Sequence, residues 1–255
     1  MSTDRPNGSL YTNINNRIAT VEFGHPASNS FVSELLQRLT SEINQLSSND
    51  EVSIIVLKSE GERAFCAGAS FDELAAISNL DEGKAFFSGF ANVINAMRSC
   101  NKPIIGRVQG KVVGGGVGLV ATCDYVFATE AASIKLSEIS IGIAPLVIAP
   151  AVERKIGKGG LAELALSPTE WKNAYWVKEK GLFSKVFDTI KALDKELDDF
   201  SLKLASYNLE ALTAMKKVMW EGTENWSSLL LERAEQSGRL ALSEATKAAL
   251  AKFKK

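Results

Sequence analysis

A mixed α/β core followed by a helical C-terminal part is the fold class this sequence predicts, on three observations. An alternating strand-like run near the N-terminus leads into a helix-like run, a similar order returns further on, and beyond about Ala149 the β signals largely vanish. Ile18 to Phe23 alternates apolar and polar residues, and Gly24-His25-Pro26 turns the chain before Phe31 to Leu46, whose apolar positions recur at helical spacing. Val52 to Leu57 is a β-branched run suited to a buried strand, followed by a charged turn at Ser59 to Arg63. Asp81 to Cys100 reads as a helix and Pro103 to Val108 as a strand; a glycine cluster then opens a short helix through about Thr122. Tyr125 to Ala128 and Ser133 to Leu136 are predicted short strands. Amphipathic stretches fill the remainder: Leu161 to Leu166, Pro168 to Trp176, Ile190 to Tyr207, Leu209 to Trp220, and Trp226 onward. The predicted division is a core over residues 1–190 and a helical region over 191–255 that packs on the core or on a neighbouring subunit.

With 255 residues and 45% hydrophobic content, the chain is long enough to bury a substantial core. Lys plus Arg number 29 against 30 for Asp plus Glu, so a net charge of -1 offers no field for gathering nucleic acid or anionic lipid. No run approaches the roughly 18 apolar residues of a membrane span, and the N-terminus lacks a charged-then-apolar signal pattern. A cytoplasmic protein is expected. Cys66, Cys100 and Cys123 are odd in number, without metal-type spacing, and fit reduced thiols. His25, the single histidine, precedes Pro26 in a polar turn, so a Ser-His-Asp or Cys-His nucleophilic system and a zinc centre are both poorly supplied.

Chemistry is carried instead by two glycine-bearing segments about 45 residues apart, Ala64 to Ala69 and Gly114-Gly115-Gly116. Each leaves backbone N–H groups uncovered at a chain reversal. Paired donors of this kind form an oxyanion hole, each worth roughly 3 to 4 kcal/mol of barrier for an enolate or tetrahedral oxyanion. The second segment also opens a helix, whose positive dipole end favours the same charge. An ordinary glycine cluster only lets a helix pack close to a sheet. Gly116, Gly118 and Ala121 also satisfy a dinucleotide-binding pattern, with Glu138 about 20 residues downstream. Against that, the next strand begins too soon for a parallel crossover helix. Glu138 stands among apolar neighbours, where burial raises a carboxyl pKa towards neutrality and fits it to give and take a proton. Asp124 reads as a structural hydrogen-bonding acid at a strand start, and Cys66 as a small buried filler.

Taken in order, Ala64 to Ala69, Val108 to Leu119, Cys123-Asp124, Leu136 to Ile139 and Gly142 to Pro145 resemble the enoyl-CoA hydratase/isomerase (crotonase) superfamily. The resemblance runs from about Asn16 onward and is clearest between Ile54 and Pro145. Its wording is closest to bacterial methylglutaconyl-CoA hydratase-like members. It implies a crotonase-like spiral of ββα units with a C-terminal helical region, assembled as a trimer or a dimer of trimers. It also implies an acyl-CoA thioester as substrate, with no cofactor beyond the coenzyme A that the substrate carries. Ala69 and Gly115 would supply the oxyanion amides and Glu138 the acid/base. Ala67, Gly68, Ser70, Phe71, Asp72 and Gly114 would line the substrate path, and the turn near Ala27 would hold the CoA adenine end. One departure matters: Gly118 stands where many hydratases of the family carry a second glutamate. Hydration of a 2-enoyl-CoA by Glu138 alone is the favoured expectation, with double-bond isomerisation or a non-catalytic acyl-CoA-binding role as the alternatives.

Overall fold

Two antiparallel strands, β1 (Ser9–Asn15) and β2 (Ile18–Gly24), open the computed structural model, which describes residues 5–253. Their two-residue turn holds Asn16 and Arg17 at φ of 50° and 65°, the twist that closes a tight hairpin. Helix α1 (Ser33–Ser47) then buries Leu35, Leu36, Leu39, Ile43 and Leu46 along one face.

From here one pattern recurs three times: a strand joins a first sheet, a short strand joins a second, and a helix or turn follows. The first round is β3 (Ile54–Ser59) and β4 (Ala64–Cys66), then α2 (Phe71–Ala76) and α3 (Leu80–Ser99). The second is β5 (Ile104–Val108), β6 (Lys111–Val113) and α4 (Gly115–Thr122). The third is β7 (Tyr125–Thr129), β8 (Ser133–Lys135) and a single 3-10 turn at Glu138–Ile141. The remaining elements are α5 (Ala149–Leu166), β9 (Lys172–Asn173), α6 (Ala174–Glu179), β10 (Lys185–Phe187), α7 (Ile190–Ala205), α8 (Leu209–Met219), α9 (Trp226–Ala241) and α10 (Glu244–Phe253). The larger sheet runs β1-β2-β3-β5-β7-β10 and the smaller β4-β6-β8-β9. From β2 to β10 the larger sheet is parallel, which is why Ile54 to Leu57 and Ile104 to Val108 are buried without alternation.

Three expectations are corrected. Pro168 to Trp176 is not one helix. The residue before a proline is pushed out of helical geometry, so α5 stops at Leu166 and a turn from Ser167 to Glu170 leads into β9. Asn173 then caps α6 by accepting from Trp176 N at 2.9 Å. The β signal does not end at Ala149 either, because β9 pairs antiparallel with β8 and β10 pairs parallel with β7. Finally, β1 was not expected; it is an edge strand whose residues from Tyr11 to Asn15 are exposed, so it carries no apolar alternation.

Aromatic rings tie the sheets to α3. Phe23 lies 4.7 Å from Phe31 and 5.3 Å from Phe65 between centroids, and Phe31 lies 6.1 Å from Phe90. Asp124 anchors the helical region to the core. Its Oδ2 accepts from Lys216 Nζ at 2.9 Å and from Ile104 N at 2.7 Å, and its Oδ1 accepts from Trp220 Nε1 at 2.7 Å. Lys216 also donates to the carbonyls of Met97 and Lys102, and its side chain is only 2% exposed. Asp124→Ala strands that buried ammonium and is expected to cost about 3 to 5 kcal/mol in denaturant unfolding. Adding Lys216→Met to it should restore part of the loss, since the two substitutions share one interaction.

Candidate active site

The smaller sheet explains how segments distant in sequence meet. β4, β6 and β8 are parallel neighbours, with Cys66 beside Val112 and Val113 beside Lys135. Paired strands lie about 4.8 Å apart, so the chain leaving their C-terminal ends emerges side by side. Ala69 follows β4, Gly115 follows β6 and Glu138 follows β8. The carboxyl ends of parallel strands are where open α/β sheets bind ligands.

Ala69 forms a parallel bridge with Phe31, but Phe31 N donates to Gly68 O at 2.8 Å and Ser70 N donates to Phe31 O at 2.7 Å. Both bonds bypass the Ala69 amide. Gly115 is the first residue of α4, where an N–H has no partner within the helix. Among the described residues neither the Ala69 nor the Gly115 amide has an acceptor. Gly114 N donates to Lys135 O at 2.9 Å, tying the second donor segment to the strand that delivers Glu138. Gly114 itself has φ 52° and ψ −124°, and a Cβ there would stand 2.9 Å from Glu138 Oε1. Glycine is therefore required for the backbone and for the carboxylate beside it.

Both amide-bearing residues and Glu138 line one cavity of about 180 Å³. Its side walls are apolar: Phe71 and Leu74 of α2, Phe86 and Phe90 of α3, and Ile143 and Ile148 beyond the 3-10 turn. No Lys or Arg is among the described residues lining it. Glu138 as a residue is half-buried, yet its Oε2 is covered and has no hydrogen-bond partner. Burial pushes its carboxyl up to about 7, against a smaller opposing effect from its own backbone amide. The turn that carries it ends at Gly142, whose carbonyl accepts from Thr246 Oγ1 of α10 at 3.0 Å.

Of the other residues singled out in sequence, Ala67, Gly68, Phe71 and Gly114 line the cavity. Ser70, Asp72 and Ala27 do not. Ser70 is buried and caps α2 by accepting from Glu73 N, and Asp72 is exposed in the first turn of that helix. Ala27 is exposed in the turn after β2; its neighbour Ser28 accepts from Ala67 N at 3.1 Å, which sets this turn against the first donor segment. Cys66 is fully buried with its thiol pushed up to about 12 by desolvation, as befits a filler. Two cavity residues had no sequence signal. Ile148 fills the space beside Gly118, where a Cβ would come within 2.4 Å of Ile148 Cγ2. Ser237 reaches the cavity from α9, far along the chain from the last motif at Gly142 to Pro145.

The sequence profile of the enoyl-CoA hydratase/isomerase family matches residues 13–247, and the chain belongs to that family of enzymes. Among curated relatives it is 28% identical to the peroxisomal Delta(3,5)-Delta(2,4)-dienoyl-CoA isomerase of Arabidopsis thaliana, over 71% of this chain and 69% of that one. It is 29% identical to the 2,3-dehydroadipyl-CoA hydratase of Escherichia coli, over 82% of this chain and 80% of that one. The crystal structure of an enoyl-CoA hydratase from Bacillus halodurans shares the fold with a TM-score of 0.88 at 18% identity, covering 95% of this chain and 99% of that one. Hydratases and an isomerase thus both stand among the relatives. No described helix is long and apolar enough to cross a membrane.

Proposed function

We propose that this enzyme hydrates the 2,3 double bond of an uncharged 2-enoyl-CoA of short to medium chain length. The observation that carries this reading is the unpartnered Oε2 of Glu138, whose residue lines the same cavity as Ala69 and Gly115 with their unpartnered amides. The thioester oxygen accepts from both amides, and the positive end of α4 adds to the pull. Ionised Glu138 takes a proton from a bound water as the hydroxyl oxygen bonds to C3. The π electrons move to C2 and onto the thioester oxygen, and the enolate collapses by taking the proton back from Glu138 at C2. These steps call on no metal and no redox group. The turn at Ala27 and the exposed Ala67 mark the side on which the CoA portion would lie.

The lining favours an uncharged acyl chain over a methylglutaconyl group. A second carboxylate inside an apolar cavity needs a cation beside it, and no such side chain is among the described residues lining this one. A second reading is double-bond isomerisation, in which Glu138 carries a proton between C2 and C4. Ile148 favours it, because the space a second glutamate would use to hold water is filled with hydrocarbon. Incubation with crotonyl-CoA, a 3-enoyl-CoA and 3-methylglutaconyl-CoA, with products identified by mass and chromatography, decides between them. A 3-hydroxyacyl product supports hydration and a shifted double bond supports isomerisation. Tight binding without product from any ester leaves a non-catalytic acyl-CoA-binding subunit.

Gly118→Glu alone should destabilise the fold by about 1 to 3 kcal/mol through overpacking against Ile148. Gly118→Glu with Ile148→Ala should relieve that loss and raise the hydration rate about tenfold, read by thermal melting and by crotonyl-CoA turnover. The enzyme is proposed to assemble as a trimer or hexamer, with exposed Tyr207, Met215, Val218 and Met219 in and beside α8 as apolar surface to be covered; light scattering tests it.

A further inference from the structure

Ser237 sits in α9 with 1% of its surface exposed; it is one of the residues lining the same cavity, and its Oγ has no hydrogen-bond partner. Helical hydroxyls usually settle on the carbonyl four residues back. In this protein Thr40, Ser99 and Thr122 do so, donating to Leu36 O, Asn95 O and Gly118 O at 2.7 to 2.8 Å. Ser237 does not, and a buried hydroxyl left unpaired is costly, as is a buried carboxylate oxygen. Glu138 Oε2 and Ser237 Oγ are the two unpartnered buried side-chain oxygens among the described residues of the cavity. Glu138 has a reaction to explain it.

The place of Ser237 follows from helix packing. Phe90 lies at the oxyanion end, where its Cε1 comes within 2.3 Å of the position a Cβ on Gly115 would take. Gly83, seven residues earlier in α3, packs on Gly238, the neighbour of Ser237; a Cβ on Gly83 would stand 2.8 Å from Gly238 Cα. Seven residues of helix advance about 10 Å. This packing puts Ser237 toward the far end of the cavity, where the tail of a medium-length acyl chain would arrive; Phe86 and Phe87, of the same stretch of α3, line the cavity too.

We infer that Ser237 selects the acyl group by hydrogen bonding to an uncharged oxygen, a hydroxyl or a ketone, carried near the distal end of the chain. A hydroxyl both donates and accepts, so either oxygen satisfies it. A carboxylate does not fit, because no Lys or Arg is among the described residues lining the cavity and Glu138 shares it. The inference rests on the acyl-CoA reading and deepens it from a reaction to a substrate class.

The test compares wild type and Ser237→Ala on CoA esters of 2-octenoic acid, 8-hydroxy-2-octenoic acid and 7-oxo-2-octenoic acid. Wild type should favour an oxygenated ester about tenfold in kcat/KM, the worth of one hydrogen bond. Ser237→Ala should erase that preference, bringing the oxygenated esters to the level of the octenoyl ester, a change in selectivity that a merely structural serine would not produce. Equal preference in both proteins overturns the assignment. Calorimetry with the saturated esters keeps the two readings apart. Selective binding of 8-hydroxyoctanoyl-CoA by wild type but not by Ser237→Ala, without turnover of any enoyl ester, supports Ser237 and sinks the reaction. Unselective binding sinks Ser237 alone.

Discussion

Glu138→Gln is expected to lower kcat on crotonyl-CoA by about a hundredfold or more while leaving CoA-ester affinity intact, the loss typical of a positioned acid/base. Glutamine keeps the shape of the side chain and cannot accept the water's proton. The pH dependence carries the same signature. Water activation needs the ionised carboxylate, so wild-type kcat/KM should rise with pH and level off above about 7, where burial has placed the group; the residual activity of the variant should be flat. Stability moves the opposite way. A carboxyl whose folded value is raised from 4.5 to about 7 has its favourable contribution in full below 4.5 and loses it as pH climbs through 7. The loss is on the order of 3 kcal/mol, so the variant should melt several degrees above wild type at pH 8 and show no such advantage at pH 4. An unchanged turnover rate would remove Glu138 from the chemistry.

Ala69→Pro should reduce kcat by about a hundredfold to a thousandfold, the usual effect of deleting one oxyanion donor. Proline removes the N–H and nothing else from the hydrogen-bond framework, because Phe31 is held through Gly68 O and Ser70 N. Ala69→Gly retains the amide and should retain activity. Circular dichroism and CoA-ester binding check that the proline variant still folds. Equal activity of the proline and glycine variants would show that this amide does not face the reacting oxygen.

Legibility in the sequence followed burial and repetition. Val21 and Phe23 in β2, the leucines of α1, and the apolar runs of β3 and β5 announced themselves because each faces a core that demands hydrocarbon at a fixed period. Edge strand β1 meets the core mainly at Ser9 and Leu10, so its remaining residues were free to be polar. β9 and β10, of two and three residues, are shorter than any period that could reveal them. The three rounds of strand, strand and turn showed in the sequence only as a similar order returning and as what the family resemblance implied, because they are alike in path and not in residues. Ala69, Gly115 and Glu138 were legible as motifs, since a bare amide needs a small residue and a proton carrier needs a carboxyl in apolar company. Ile148 and Ser237 were not: they are ordinary residues that matter only through what the fold sets opposite them.

The grip of Thr246 on Gly142 bears on when the enzyme becomes competent during synthesis. A nascent chain can pair β4, β6 and β8 well before α10 has left the ribosome, yet the bend holding its proton carrier gains this last fastening only from residues made some hundred positions later. Newly made molecules are therefore expected to pass through a stage in which the smaller sheet is paired and the turn bearing Glu138 is still loosely held.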